Sequence, residues 1–271
     1  MLDAHPDIAI PAETGVFMTL AAAAKDGALP ANAEELLGLL TRSPSWPDMG
    51  LDAGLLAKEL ASLATFSIPD GLRAFFQMYA AKFGKPGWGD KSPMHCYHLP
   101  LIQETLPEAH ILHLIRDGRD VAVSLLGVWF TPSRDISELA AYWAAAVQAG
   151  RTGGARCAHY LEVRYEALVS SPRETLQAVC DFLRLRFDER MLDYHRTARA
   201  RLSEARERVL EDGTVITLEQ RLDQQRLTST PPDQSRPQRW RRDLSEEEVA
   251  LFESVAGGLL SELGYPVSSS D

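Results

Sequence analysis

Residues 110–124, with the sequence HILHLIRDGRDVAVS, constrain the fold of this chain more than any other stretch. The first half carries an apolar run that predicts a buried strand, at Ile111, Leu112, Leu114 and Ile115. The second half changes to the apolar period of a helix, at Val121, Ala122, Leu125 and Leu126. Gly118 between them predicts a tight turn. A strand that passes into a helix through so short a loop indicates a parallel α/β sheet.

Two polar side chains in this stretch predict a phosphate site. Arg116 follows the last strand residue, and Ser124 lies on the helix that comes back over the strand end. A guanidinium group offers paired, charge-assisted hydrogen bonds to a dianionic phosphate, and a hydroxyl group adds a third donor. In parallel sheets ligands bind at the carboxyl ends of the strands, which is where we expect Arg116.

The rest of the chain alternates helices with a second strand. The apolar pattern predicts a strand over 160–165 and helices over 16–25, 51–64, 71–83, from Pro93 to about 105, from Asp120, over 136–149, over 172–184 and from Ser245 onward. Capping boxes are predicted at Ser171–Glu174 and Ser245–Glu248. We expect one domain over 1–271, in which 16–83 form a helical cover and 196–238 form a lid or loop over the active site.

Composition excludes several classes of protein. The chain has 271 residues and a formal net charge of −10, which argues against a general nucleic-acid binder. Its apolar runs are short and interrupted by charge, so we expect no membrane segment and no secretory leader. Three widely spaced cysteines, Cys96, Cys157 and Cys180, indicate reduced thiols in a cytoplasmic protein. Residues 190–242 hold twelve arginines and eight acidic residues, a local excess that suits a polyanionic cofactor.

The pattern Arg-Asp-x-Arg-Asp-Val-Ala-Val-Ser over 116–124 resembles the 3′-phosphate-binding segment of sulfotransferases that use 3′-phosphoadenosine 5′-phosphosulfate (PAPS). Four further segments resemble the same family in the same order, above all its bacterial members and the protein-tyrosine sulfotransferases: residues 1–14, 89–93, 163–168 and 239–244. The resemblance covers nearly the whole chain. It implies a P-loop NTPase-like sulfotransferase fold, with a three-layer parallel sheet flanked by helices and no metal ion.

The resemblance also implies a segment that the printed sequence does not contain. In this family a first strand and a loop of the type Arg-Ser-Gly-Thr-Thr, which binds the 5′-phosphosulfate, come directly before the stretch that here begins at Met1. We therefore expect half of the donor site to be missing from these 271 residues. As the explanation for the missing segment, an internal start codon or a truncated chain is favoured over a natural loss of activity. The 271 residues alone are expected to be marginally stable and nearly inactive.

Sulfuryl transfer needs a base for the acceptor hydroxyl and a positive charge on the developing leaving group. The resemblance assigns the first role to Glu13 and the second to Lys91, although by residue type alone these would be an ordinary loop acid and a surface lysine. Histidine follows the corresponding Lys-Thr in small-molecule sulfotransferases, but Pro93 stands there in this chain, which favours Glu13 as the base. The expected cofactor contacts are Arg116, Ser124, Tyr165 and Arg239, with Arg236 and Arg241 as competitors of Arg239.

Two other classes of function stay open at this point. One is a non-enzymatic protein that still binds adenosine 3′,5′-bisphosphate, and the other is a P-loop kinase of small molecules. Residues 84–92 superficially resemble a nucleoside-triphosphate loop, but Asp90 intrudes between the glycine and Lys91. The expected acceptor is a small-molecule or peptide hydroxyl, and a natural-product alcohol, a carbohydrate, a lipid and a tyrosyl peptide all stay open. The sequence also leaves open whether the protein forms a homodimer.

Overall fold

The computed structural model describes residues 1–209 and 213–268. The chain divides into two compact units. Unit 1 comprises Met1–Ala109 with Arg186–Pro231, and unit 2 comprises His110–Leu185 with the residues from Pro232 onward. That the two units act as one domain stays a prediction.

The strands are β1 (Ile8–Ala9), β2 (Gly87–Trp88), β3 (Ile111–Ile115), β4 (Tyr160–Arg164), β5 (Arg208–Val209) and β6 (Val215–Ile216). The α-helices are α1 (Val16–Lys25), α2 (Ala33–Thr41), α3 (Trp46–Met49), α4 (Ala53–Ala61), α5 (Ile68–Ala81), α6 (Leu99–Thr105), α7 (Gly118–Leu126), α8 (Ile136–Gly154), α9 (Tyr165–Ser170), α10 (Pro172–Leu183), α11 (Tyr194–Leu202), α12 (Leu218–Gln224), α13 (Trp240–Asp243) and α14 (Glu246–Glu262). Short 3-10 helices span Leu2–Ala4, Pro93–Tyr97, Glu189–Met191 and Arg226–Ser229.

Unit 2 is built on a parallel strand pair. Strands β3 and β4 pair in register over their full length, from Ile111 opposite Tyr160 to Ile115 opposite Arg164. Helices α8 and α14 pack against each other, and α8 also contacts β3. Their buried residues form the core of the unit, which includes Ile115, Leu139, Trp143, Phe252 and Leu260. The predicted strand–helix order and the parallel α/β class are therefore observed.

Gly118 has a different role from the predicted one. It is the first residue of α7 and takes part in the helix, so the loop after β3 consists of Arg116 and Asp117 alone. A Cβ atom at this position would lie 2.4 Å from Trp143 and 2.7 Å from Phe252. The prediction of a glycine turn is wrong, because the position needs glycine for close packing of the helix start against the core.

A buried arginine connects the start of α7 to the C-terminal helix α14. The Arg119 side chain is fully buried and forms ion pairs with Asp117 at 2.7 Å and with Glu253 of α14 at 2.6 Å. Its guanidinium carbon lies 3.7 Å from the centroid of the Trp240 ring. Asp117 also caps α7, since its carboxylate accepts the backbone N–H of Arg119. The second arginine of the Arg-Asp-x-Arg-Asp pattern is therefore part of the folded framework of unit 2.

Unit 1 is mainly helical. Helices α2, α4 and α5 pack together around the buried side chains of Leu36, Leu56, Leu60 and Leu72. The short parallel pair β1–β2 lies against α5 and is closed by two backbone bonds, from Gly87 to Asp7 and from Gly89 to Ala9. The predicted helix 16–25 is observed at those bounds. The helix predicted from Pro93 to about 105 is instead a 3-10 helix over Pro93–Tyr97 followed by α6, and the other predicted helices differ by a few residues at their ends.

One of the two predicted capping boxes forms. The Ser245 hydroxyl accepts the backbone N–H of Glu248, and the Glu248 carboxylate accepts the backbone N–H of Ser245. Helix α10 begins at Pro172 as predicted, but Ser171 makes no side-chain cap bond. The backbone N–H of Ser171 instead donates to the carbonyl oxygen of Ala167 in α9, as the C-cap of that helix. Because α9 runs almost directly into α10, the residue between them has the backbone of a helix connection and not the extended cap that the prediction assumed.

The segment predicted as a lid, 196–238, divides between the two units at Pro231. Its part in unit 1 contains α11, the antiparallel β5–β6 pair and α12, and residues 210–212 lie outside the described chain. Asp48 anchors this part, since its buried carboxylate accepts bonds from the Arg206 backbone and from the Arg208 and Arg221 side chains. Burial opposes the charge of Asp48, but these bonds hold its pKa below the ordinary value. A lid function of the segment stays a prediction.

No helix in the described ranges is both long enough and apolar enough to cross a membrane.

The Arg119 network gives a stability prediction for unit 2. Arg119→Ala leaves the buried carboxylates of Asp117 and Glu253 without their partner, and such a loss costs about 3–5 kcal/mol of unfolding free energy. Arg242→Ala is the matched control, because Arg242 is largely exposed and solvent screens its ion pair with Asp243, so its loss should change the unfolding free energy little. Urea unfolding of both variants measures the difference. Equal, small losses in the two variants would show that the buried network does not stabilise the unit.

Candidate functional site

In unit 1 the structure brings together the two residues predicted to carry catalysis. Glu13 lies four residues after β1, and Lys91 lies three residues after β2. Because β1 and β2 run parallel and in register, the segments that follow them leave the pair at the same end. The Lys91 ammonium donates directly to Oε1 of Glu13, and the side chains remain 59% and 43% exposed.

A buried hydrogen-bond cluster lies directly beside this pair in the chain. The hydroxyl of Thr14 donates to Oδ2 of Asp90 at 2.8 Å, and Nε2 of His95 lies 3.0 Å from the same oxygen. The carbonyl oxygen of Thr14 accepts the hydroxyl groups of Ser43 and Ser45. Sequence reasoning missed this cluster. Asp90 belongs to the segment 89–93 that resembles the family and interrupts the resemblance to a nucleotide loop, but no pattern in the sequence connects it with Thr14.

The arrangement in unit 1 suits chemistry on a hydroxyl group. A carboxylate at an open surface accepts a proton from a bound O–H, and an ammonium group next to it stabilises negative charge that develops nearby. Both groups are exposed enough to be reached by a substrate. Burial lowers the pKa of His98, three residues after His95, below the ordinary value, and the proximity of His95 lowers it further.

In unit 2 the structure brings together Arg116 and Tyr165. Each is the first residue after its strand, and the parallel register places both at the carboxyl end of the β3–β4 pair. The guanidinium carbon of Arg116 lies 4.6 Å from the centroid of the Tyr165 ring. One guanidinium nitrogen donates to the carbonyl oxygen of Arg236 at 3.0 Å. The Nε atom of Arg116 is buried and has no hydrogen-bond partner within the described residues.

A second buried carboxylate organises the surroundings of Arg116. Asp120 is fully buried, lies 3.6 Å from the Arg116 guanidinium, and accepts the backbone N–H groups of Gln238 and Trp240. It therefore joins α7 to the segment that begins α13. Ser124 lies one helical turn after Asp120 on the same face of α7 and is exposed. The sequence predicted Ser124 as a phosphate contact but gave Asp120 no role.

Three arginines compete for the role of an additional cofactor contact, and they lie in different surroundings. Arg239 forms an ion pair with Asp243 at 2.7 Å, within its own helical turn. Arg241 lies over the Trp240 ring, with its guanidinium carbon 4.6 Å from the ring centroid. Arg236 contacts Arg116 through its carbonyl oxygen, and its Nε lies 3.7 Å from Asp233. Of the three, Arg236 therefore has a hydrogen bond to Arg116, while Arg239 is engaged with a carboxylate.

The sequence profile of the sulfotransferase family matches residues 1–189. The chain belongs to this family. Sulfotransferases in general move a sulfuryl group from PAPS to an acceptor that bears a hydroxyl group, so membership of the family favours this reaction over that of a kinase. In the described residues no group of three or more histidine, cysteine or acidic side chains is arranged to hold a metal ion.

Two relatives are nematode proteins. A Caenorhabditis briggsae protein assigned as a protein-tyrosine sulfotransferase is 25% identical over 283 residues, which covers 100% of this chain and 84% of that protein. Protein-tyrosine sulfotransferase A of Caenorhabditis elegans is 26% identical over 195 residues, which covers 66% of this chain and 47% of that protein. The similarity to the first relative therefore extends along the whole chain, including unit 1 and unit 2.

Two solved structures share the fold. The sulfotransferase domain of the olefin synthase of Synechococcus PCC 7002 is 21% identical, with a TM-score of 0.54 and coverage of 98% of this chain and 89% of that chain. The sulfotransferase domain of the curacin biosynthetic pathway is 17% identical, with a TM-score of 0.60 and coverage of 98% and 92%. Together with the parallel α/β architecture, these likenesses confirm the predicted sulfotransferase fold class.

Proposed function

We propose that this protein transfers the sulfuryl group of PAPS to a small-molecule or peptide hydroxyl, with Glu13 as the general base and Lys91 as the electrostatic stabiliser. The observation that carries the proposal is the contact between these two side chains at the end of the β1–β2 pair. The position of Glu13 in the chain and the Gly-Asp-Lys-Ser-Pro stretch around Lys91 support it through the family resemblance.

Glu13 accepts the proton of the acceptor hydroxyl as the acceptor oxygen forms a bond to sulfur. The bond that breaks joins sulfur to the bridging oxygen of the donor, and its electron pair stays on that oxygen, so that adenosine 3′,5′-bisphosphate leaves. Lys91 stabilises the negative charge that grows on the bridging and sulfuryl oxygens. The proton that Glu13 has taken then passes to water, and the carboxylate is restored.

Arg116 is proposed to bind the 3′-phosphate of the donor. Its Nε group is buried and has no partner in the part of the chain that the structure describes, and a phosphate oxygen is an acceptor that would satisfy it. Tyr165 supports the guanidinium plane through its ring, and the exposed hydroxyl of Ser124 is proposed as a further donor. Arg239 is proposed as an additional phosphate contact, which requires that it leave Asp243. The Arg236 backbone already holds Arg116 in place.

The names of the nematode relatives make tyrosyl peptides the first acceptors to test. A phenol has a pKa of about 10 and gives up its proton more readily than an ordinary alcohol does. An alcohol therefore depends more strongly on a base such as Glu13. A panel that contains a tyrosyl peptide, a simple alcohol and a carbohydrate measures which acceptor is used and how strongly each depends on Glu13.

Binding of adenosine 3′,5′-bisphosphate tests the proposed phosphate contacts. Arg116→Ala removes a charge-assisted contact worth about 1.5–3 kcal/mol and should weaken affinity roughly 10- to 150-fold. Ser124→Ala removes a neutral hydrogen bond worth about 1 kcal/mol and should weaken affinity about 5-fold. Isothermal titration calorimetry measures both, in the complete gene product with any residues that the gene encodes before Met1. Unchanged affinity in the arginine variant would exclude Arg116 from the phosphate site.

Turnover tests the proposed base. Glu13→Gln keeps the shape of the side chain but cannot take up a proton, so transfer of labelled sulfate to an alcohol should fall about 10²-fold or more. Binding of adenosine 3′,5′-bisphosphate should be unchanged, which separates the chemistry from donor binding. Glu35→Gln is the matched control, because Glu35 lies in unit 1 and, among the described residues, its carboxylate bonds to Ala31 and Asn32 just before its own helix. Turnover of the Glu13 variant near that of the control would assign Glu13 a structural role.

A further inference from the structure

We propose that Asp90 is a positioning residue that aligns the Glu13–Lys91 pair through Thr14 and His95. The inference rests on the proposed function of that pair and names the residues that hold it. Asp90 and Thr14 contact no reacting group in this account. Their effect passes through the backbone, since Thr14 directly follows Glu13 and Asp90 directly precedes Lys91.

The pair needs such support because its own contact is weak as a restraint. Both side chains are about half exposed, and an exposed ion pair between flexible side chains fixes little geometry. Catalysis by a base and a cation depends on their being held close to the productive position before the substrate arrives. The order of the pair must therefore come from the backbone positions at which Glu13 and Lys91 are attached.

The cluster fixes both attachment points at one carboxylate oxygen. Oδ2 of Asp90 accepts the Thr14 hydroxyl at 2.8 Å and also lies 3.0 Å from Nε2 of His95. Thr14 is 4% exposed, and the side chains of Asp90 and His95 are 5% and 15% exposed. Consecutive Cα atoms are about 3.8 Å apart, so a restraint on Thr14 and Asp90 is passed to Glu13 and Lys91 with little slack.

Further contacts hold each side of the cluster. On the Glu13 side, the Ser45 hydroxyl donates to the Thr14 carbonyl oxygen at 2.7 Å, and Gly15 then turns the chain into α1 with a φ of 69° that favours glycine. On the Lys91 side, the His95 ring lies edge-on to Phe17 of α1, with ring centroids 5.6 Å apart. The segment of Lys91 and the segment of Glu13 are therefore both packed against the start of α1.

The cluster is not built to maximise stability. Within the described residues, Oδ1 of Asp90 and Nδ1 of His95 are buried and have no hydrogen-bond partner. Buried polar atoms without partners are unfavourable, and apolar residues of similar size would avoid this. A cluster that leaves two such atoms beside a candidate active site is better explained by the geometry that it imposes on its neighbours in the chain.

The test reads the pair directly by nuclear magnetic resonance. The chain has five lysines, so ¹³C-dimethylation gives few lysine signals, and Lys91→Arg identifies the Lys91 signal by its loss. The Glu13→Gln variant gives the chemical shift of the Lys91 signal when the ion pair is absent. Thr14→Val removes the hydroxyl that bonds to Asp90 at nearly constant volume, while Thr14→Ser keeps the hydroxyl. Thr19→Val is the control for the same change on an exposed face of α1.

We expect the Lys91 signal to move to the Glu13→Gln position in Thr14→Val and to stay at its original position in Thr14→Ser and Thr19→Val. If Thr14→Val does not fold, as judged by its thermal unfolding, His95→Phe takes its place. That change removes the other bond to Asp90 and keeps an aromatic ring against Phe17, and the same displacement is expected. An unmoved Lys91 signal in the folded variant would overturn the proposal.

Sulfate transfer by the complete gene product gives the second readout. Thr14→Val should lower kcat at least fivefold, with the KM for PAPS unchanged within twofold, and Thr14→Ser should restore kcat. A kcat equal to that of the unchanged enzyme would contradict a positioning role. If Glu13→Gln itself leaves kcat unchanged, the proposed function is wrong, while the Lys91 signal still decides whether Asp90 and Thr14 hold the pair together.

Discussion

Parallel pairing of short strands is the constraint on which both halves of the candidate chemistry depend. In unit 1, β1 and β2 run side by side, and the segments that leave them carry Glu13 and Lys91. In unit 2, β3 and β4 end together, and the next residues are Arg116 and Tyr165. In a parallel pair the chain leaves both strands at one end, so residues that are 49 or 78 positions apart become neighbours.

Buried carboxylates then fix the loops that the strand pairs bring together. Asp90 restrains the neighbours of Glu13 and Lys91, and Asp120 holds two backbone N–H groups of the segment whose carbonyl oxygen binds Arg116. Asp48 has the same role for the arginine-rich part of unit 1. In an acidic chain these carboxylates act as backbone anchors, while Glu13 and Lys91, the pair proposed to meet the acceptor, remain about half exposed.

Much of the fold could be predicted from the sequence, because strong apolar periods mark its longer elements. The strand over Ile111–Ile115 and the helix from Ser245 both follow the predicted pattern. Strands β1 and β2 have two residues each, too short for any period to reveal, so the sequence could not show how Glu13 meets Lys91. Gly118 was misread for a related reason, since its constraint comes from the distant Trp143 and Phe252.

The same limit applies to the polar residues of the site. The family resemblance predicted Glu13, Lys91, Arg116 and Tyr165, and the structure places them in two contacting pairs. The resemblance did not predict that Arg239 would bind Asp243, or that Thr14 would bond to Asp90 across 76 residues. The Arg239–Asp243 pair is a local i,i+4 contact that the resemblance does not address, whereas the Thr14–Asp90 bond depends on tertiary packing, which the local sequence does not encode.

A double-mutant cycle on sulfate transfer tests the central claim most directly, that Glu13 and Lys91 act as one catalytic pair. The rate constants of Glu13→Gln, Lys91→Met and the double variant are measured with one hydroxyl acceptor at saturating PAPS. When two residues stabilise a transition state as one unit, removing either already removes most of the joint effect. The double variant should therefore be about as slow as the slower single variant. A slowdown in the double variant equal to the product of the two single slowdowns would contradict the account.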